Sequence, residues 1–136
     1  MQRLALPQAT VDDLARIADF ISEALEECGV DARAAYQIQM AVDEAASNVV
    51  LHGYGGRPGR LEIEIECSDS DIEIHILDWG KSFDPDSIPE PDVGAPLEQR
   101  PVGGLGLFFM RKFMDELEFH FDAQKGNRLR MRRRRT

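Results

Sequence analysis

Three short segments carry side chains with chemistry to offer. In Ala41-Val42-Asp43-Glu44-Ala45-Ala46-Ser47-Asn48-Val49, Glu44 and Asn48 stand four residues apart, which on a helix puts them on one face a turn apart. An amide oxygen at that place can ligate Mg²⁺, a hard cation that takes oxygen ligands and keeps phosphates and waters. A carboxylate beside it can take a proton from an attacking hydroxyl or water. The small neighbours Ala41 and Ala45 leave room. In Leu77-Asp78-Trp79-Gly80, a carboxylate at a strand end can accept the exocyclic amine of adenine. Such a charge-assisted bond is worth roughly 1.5–3 kcal/mol, and Gly80 lets the backbone approach a flat base. In Gly103-Gly104-Leu105-Gly106-Leu107, glycines just ahead of a helix present backbone N–H groups to an anion at the positive helix end. Taken singly, each segment has an ordinary explanation: a polar helix face, an Asp-x-Gly turn, a glycine hinge. The glycine run is not a P-loop, since no Gly-Lys-Ser/Thr follows, and no hydrophobic βαβ unit contains it.

These segments need elements to hold them. Thr10 is a good N-cap, and Val11, Leu14, Ile17, Ile21, Leu25 and Cys28 recur at helical spacing, so a first helix is expected over about 11–28, ended by Gly29. Asp31 caps a second, running to about Leu51, before glycines 53, 55, 56 and 59 break the chain. A short strand over Arg3–Leu6, closed by Pro7, precedes them. Leu61, Ile63, Ile65 and Cys67 alternate with glutamates, and Ile72, Ile74 and Ile76 alternate with Glu73, His75 and Leu77. This period of two predicts an antiparallel hairpin turning at residues 68–70, one face buried and the acidic face wet. Pattern disappears between Gly80 and Pro101, where five of the seven prolines fall, as in a functional lid. A short buried helix is expected from Gly103 to about Glu116, then two strands marked by Leu117, Phe119, Phe121 and by Leu129, Met131, with a turn at residues 125–127. Strands buried on one side imply an α+β two-layer α/β sandwich, a mixed, largely antiparallel sheet with helices on one face.

The chain has 136 residues, which fits one domain, and 43% are hydrophobic, enough for a packed core. No stretch approaches the roughly 18 apolar residues of a membrane span, and residues 1–10 carry no signal pattern, so a cytoplasmic location is expected. Cys28 and Cys67 form no CxxC, and buried free thiols are expected rather than a disulfide or a metal site. Net charge is −9, yet six arginines between 128 and 135 leave −15 for residues 1–127. An acidic body argues against nucleic acid as the main partner. The arginine run is read as a solvated final strand with a frayed end, the alternative being contact with phosphate or an acidic protein surface.

Together the three segments match, in order and spacing, the N, G1 and G2 boxes of the Bergerat ATP-binding fold. The chain resembles the anti-sigma-factor serine kinases of that family most closely. The resemblance rests on Glu44-Ala45-Ala46-Ser47-Asn48-Val49-Val50 with His52-Gly53-Tyr54, on Asp78-Trp79-Gly80-Lys81-Ser82-Phe83-Asp84-Pro85, and on Gly104-Leu105-Gly106-Leu107-Phe108-Phe109-Met110 with Met114-Asp115-Glu116.

This resemblance implies a histidine-kinase-like ATP-binding domain over residues 1–136 with an ATP lid at about 80–103. It implies Glu44 as general base toward a partner's serine and Asn48 as the Mg²⁺ ligand. It further implies Asp78 and Gly80 at adenine, and Gly103, Gly104, Leu105, Gly106 and Leu107 at the phosphates, with Arg100 as a phosphate or partner contact. The implied partners are a sigma factor and a STAS-type anti-sigma antagonist, in a switch where phosphorylating the antagonist releases it. The family also tends to dimerise, and a candidate edge strand lies at residues 3–6. Two positions depart from the family pattern. Ser82 replaces the second glycine of Asp-x-Gly-x-Gly, and Asn127 replaces the threonine of a Gly-Thr turn, which removes a hydroxyl expected near adenine. These departures keep a second reading open, a non-catalytic sigma- or regulator-binding module with a vestigial ATP site. A detached histidine-kinase catalytic domain is a third, disfavoured because no helix carrying a phosphoacceptor histidine is found.

Overall fold

A computed structural model describes residues 1–81 and 104–135. The expected lid from residue 82 onward, Ser82, Arg100 and Gly103 lie outside the described residues. Five strands form one sheet: β1 (Gln2–Ala9), β2 (Gly59–Cys67), β3 (Asp71–Asp78), β4 (Glu116–Asp122) and β5 (Gly126–Arg134). Their order is β1-β2-β3-β5-β4, and each neighbouring pair is antiparallel. The helices are α1 (Leu14–Glu27), α2 (Ala32–Asn48) and α3 (Gly104–Phe113). In the helix layer α2 packs against both α1 and α3.

Alternation places the core. Leu4 and Leu6 of β1 pair with Ile63 and Leu61 of β2, while Ile63 and Ile65 pair with Ile76 and Ile74 of β3, which in turn meet Leu129 and Met131 of β5. This face meets Ile17, Ile21 and Leu25 of α1, Ile38, Ala41, Val42 and Ala45 of α2, and Leu107 and Met110 of α3 in one hydrophobic cluster. Helix starts follow their caps. Asp13 accepts from the Thr10 N–H at 2.9 Å, and one 3₁₀ turn (Val11–Asp13) leads into α1. The Asp31 carboxylate accepts from Ala34 N at 3.0 Å to open α2. The first strand runs through Pro7 instead of stopping there. β1 pairs only with β2, so an edge position tolerates the missing donor, and the register shifts between Leu6 and Ala9. Helix two ends three residues earlier than its pattern suggests, continuing as a wider π turn over Val49–Gly53.

Two expectations are corrected. The arginine run is not a frayed tail. β5 lies inside the sheet, and its outward side chains meet the acidic rows of both neighbours. Arg130 Nε donates to Glu73 at 2.6 Å, and Arg132 grips Glu116 through Nε (2.9 Å) and Nη2 (2.7 Å), holding that carboxyl down at about 2. Arg128 donates to His75 Nδ1 at 2.8 Å, which leaves His75 Nε2–H to donate to Glu73. Arg133 donates to the Phe113 carbonyl at 2.7 Å, where α3 ends. Much of the charge imbalance along the chain is therefore paired across the outer face of the sheet.

The cysteines are likewise not free: Cys28 and Cys67 form a disulfide. The end of α1 and the end of β2 come together with 6.3 Å between their Cα atoms, a proximity that the 39-residue separation conceals. Arg135 reinforces the junction, donating to the carbonyls of Cys28 (2.7 Å) and Ser68 (3.1 Å). Closing a loop of that length is worth about 4 kcal/mol in chain entropy. Cys28→Ser, or reduction of the wild type, should lower the urea midpoint accordingly, and an unchanged midpoint would show that the bridge adds nothing to stability.

Candidate functional site

The buried row of β3 reads Ile72, Ile74, Ile76 and then Asp78, so period two carries an acid onto the helix-facing side of the sheet. Its cross-strand partner is Asn127, which continues the row of Leu129 and Met131. Asp78 is 8% exposed. Its Oδ1 accepts from Gly80 N and from Asn127 Nδ2, both at 2.9 Å, and Asn127 Nδ2 also donates to the Gly80 carbonyl at 3.0 Å. Two acceptors facing one amide group fix which end is nitrogen. Asp78 Oδ2 accepts no hydrogen bond among the described residues. Burial pushes the Asp78 carboxyl up, opposed by the bonds from Asn127 and Gly80.

The end of α2 meets this strand end at Gly53. Lys81 N donates to the Gly53 carbonyl at 2.8 Å. A Cβ on Gly53 would stand 3.9 Å from both the Asn48 carbonyl oxygen and Asp78 Oδ1, so the first two chemistry-bearing segments adjoin. A Cβ on Gly80 would stand 2.7 Å from the Gly53 oxygen and 2.8 Å from its carbonyl carbon. Backbone on both sides cannot yield cheaply. Gly80→Ala should therefore cost on the order of 1–3 kcal/mol of stability, as overpacking does, read as a lowered denaturant midpoint, and a midpoint equal to the wild type's would refute the close approach.

Several residues that sequence reasoning passed over brace this corner. The Tyr54 hydroxyl donates to the Arg60 carbonyl and accepts from Trp79 N at 2.8 Å. The Arg60 guanidinium lies 4.0 Å over the Trp79 ring. Gly59 leaves space for the Tyr54 ring, and Gly126, at φ 86°, lies where a side chain would strike the Trp79 indole. The glycines flanking Tyr54 and Trp79 were the available signal, but it does not say what they face.

Glu44 and Asn48 lie on α2, both half-buried, and neither side chain makes a hydrogen bond among the described residues. Gly104, Leu105 and Gly106 fall in the first turn of α3 as described, which packs on α2. The Leu107 side chain is buried in the core, leaving its backbone for any ligand. Among the described residues no cluster of three His, Cys, Asp or Glu could cage a metal. A magnesium ion held largely by phosphates needs no such cage, and the Asn48 amide oxygen, unbonded among the described residues, fits that demand.

The helix layer on an antiparallel sheet, with a strand-end acid beside a helix end, is the fold of the histidine kinase-like ATPase domains. The chain matches the histidine kinase-like ATPase domain over residues 8–133 and belongs to that family. Within it, the chain is 30% identical over 124 residues to the serine-protein kinase RsbW of Listeria monocytogenes, covering 88% of this chain and 73% of that one. It is 35% identical over 102 residues to the anti-sigma F factor of Clostridium botulinum, covering 71% and 68% respectively. The fold is shared with the catalytic domain of the histidine kinase ThkA, at TM-score 0.56 and 13% identity, covering 100% of this chain and 97% of that one.

Proposed function

We propose that the protein is an ATP-dependent serine protein kinase and anti-sigma factor, one domain over residues 1–136, that phosphorylates a STAS-type antagonist and sequesters a sigma factor. The observation that carries the nucleotide reading is the state of Asp78: one carboxylate oxygen locked by the protein, the other unbonded among the described residues, beside the end of the helix bearing Glu44 and Asn48. The names of the relatives support the rest.

In this reading the second oxygen of Asp78 accepts the adenine amine, and Gly80 lines the base pocket. The first-turn N–H groups around Gly104, Leu105, Gly106 and Leu107, with Gly103 ahead of them, meet phosphate oxygens, and Arg100 contacts phosphate or partner. Asn48 would hold Mg²⁺, which would offset the negative charge of the phosphates. Glu44 takes the proton of the partner's serine hydroxyl as its oxygen attacks the terminal phosphorus, and ADP leaves. The segment at about 80–103 acts as the lid, excluding water that would otherwise accept the phosphate. The new phosphoserine adds charge and dissociates the antagonist. Among the described residues no helix is long and apolar enough to cross a membrane. We place the protein in the cytoplasm, without direct nucleic-acid contact. The open edge of β1 is the candidate dimer surface.

The test is transfer of labelled terminal phosphate from Mg-ATP to a STAS partner. Label on the partner's serine, absent when that serine is alanine, supports the kinase. Tight sigma-factor binding with no transfer and no effect of nucleotide, measured by calorimetry, supports the non-catalytic module instead.

A further inference from the structure

We infer that Asn127 is a positioning residue that sets base selectivity at Asp78, standing in for the hydroxyl expected at that turn. The inference rests on the ATP-binding reading above and extends it to a residue outside the three boxes. Asn127 and Asp78 are register partners on the last rung between β3 and β5. A single amide nitrogen spans 2.9 Å to Asp78 Oδ1 and 3.0 Å to the Gly80 carbonyl. It therefore fixes both groups assigned to the base pocket: the carboxylate that accepts the amine and the backbone of Gly80. The departure from threonine replaces one hydroxyl donor by an amide with two N–H groups, and both are spent inside the protein.

Two properties follow from the same contact. With Oδ1 occupied, Oδ2 is the oxygen left to a ligand among the described residues, in one fixed direction, and an oriented acceptor discriminates an amine from a carbonyl oxygen. The Asn127 bond also favours the ionised carboxylate, against the burial that disfavours it. Losing the amide frees the carboxylate to turn and raises its pKa further, so the acid limb of ATP binding moves to higher pH.

The experiment compares Mg-ATP with Mg-inosine triphosphate, which carries a carbonyl oxygen where ATP has its amine. Dissociation constants are measured by calorimetry on the full chain, as wild type, Asn127→Ala and Asn127→Asp, over a pH series. Asn127→Asp keeps the shape and removes the donors, so it carries the test if the alanine variant does not fold. The wild type should prefer ATP. Each variant should narrow that preference roughly two- to tenfold, the loss of one net hydrogen bond, with its acid limb displaced upward. A proportionate weakening toward both nucleotides, or an unchanged ratio and pH profile, overturns the inference while leaving ATP binding intact. A wild type that binds neither nucleotide defeats the ATP reading itself.

Discussion

Glu44→Gln should leave Mg-ATP binding within a few-fold of wild type and slow phosphoryl transfer to the antagonist serine by about 10²–10⁴, the usual contribution of a positioned base. That range corresponds to roughly 2.7–5.5 kcal/mol of lost transition-state stabilisation. The separation of binding from chemistry follows from where Glu44 stands. It is half-buried on α2 and makes no side-chain hydrogen bond among the described residues, so removing its charge breaks no structural contact there. Glutamine and glutamate differ little in helix propensity, and the unfolding midpoint should stay within about 0.5 kcal/mol of wild type. The measurement pairs single-turnover transfer, with enzyme and ATP saturating, against calorimetric affinity. A variant that transfers phosphate at the wild-type rate removes Glu44 from the chemistry. A variant whose affinity falls as far as its rate makes Glu44 a binding residue instead.

The parts of the site that a linear pattern could reveal are those carried by local periodicity. The alternation of β3 puts Asp78 in step with Ile72, Ile74 and Ile76, and the four-residue spacing of Glu44 and Asn48 needs only a helix. What the pattern could not reveal is cross-strand register. β5 enters the sheet between β3 and β4, although it follows β4 in the chain, and nothing in Leu129 or Met131 encodes that order. Once that strand is interior, Arg130 and Arg132 face Glu73 and Glu116, and an apparent basic tail becomes part of the sheet. The same register turns Asn127 from a missing hydroxyl into the partner of Asp78. The disulfide escaped for a related reason: Cys28 ends a helix and Cys67 ends a strand, and their meeting depends on how α1 lies across the sheet.

Asp78→Asn should act with opposite signs on folding and on nucleotide binding. Burial raises the Asp78 carboxyl above its ordinary value, so below that value the folded state has its full share of stability from this group. The share is lost as pH rises through the folded pKa, because the folded state then binds more protons than the unfolded state. At neutral pH the ionised Asp78 therefore costs stability. Asparagine keeps the shape, and its carbonyl oxygen still accepts from Gly80 N and Asn127 Nδ2, without a buried charge to desolvate. The variant should unfold at equal or higher denaturant than wild type at pH 7, with the gap closing as pH falls. The atom offered to the base is now an N–H₂ donor facing an amine, so ATP affinity should fall about 10- to 100-fold, the loss of one charge-assisted bond. Wild-type ATP binding should weaken as pH falls through the raised pKa, a limb the variant lacks. Denaturant midpoints and calorimetric titrations across pH read both effects. A variant destabilised at neutral pH, or one that binds ATP as tightly as wild type, would mean that Asp78 serves the strand end and not the base.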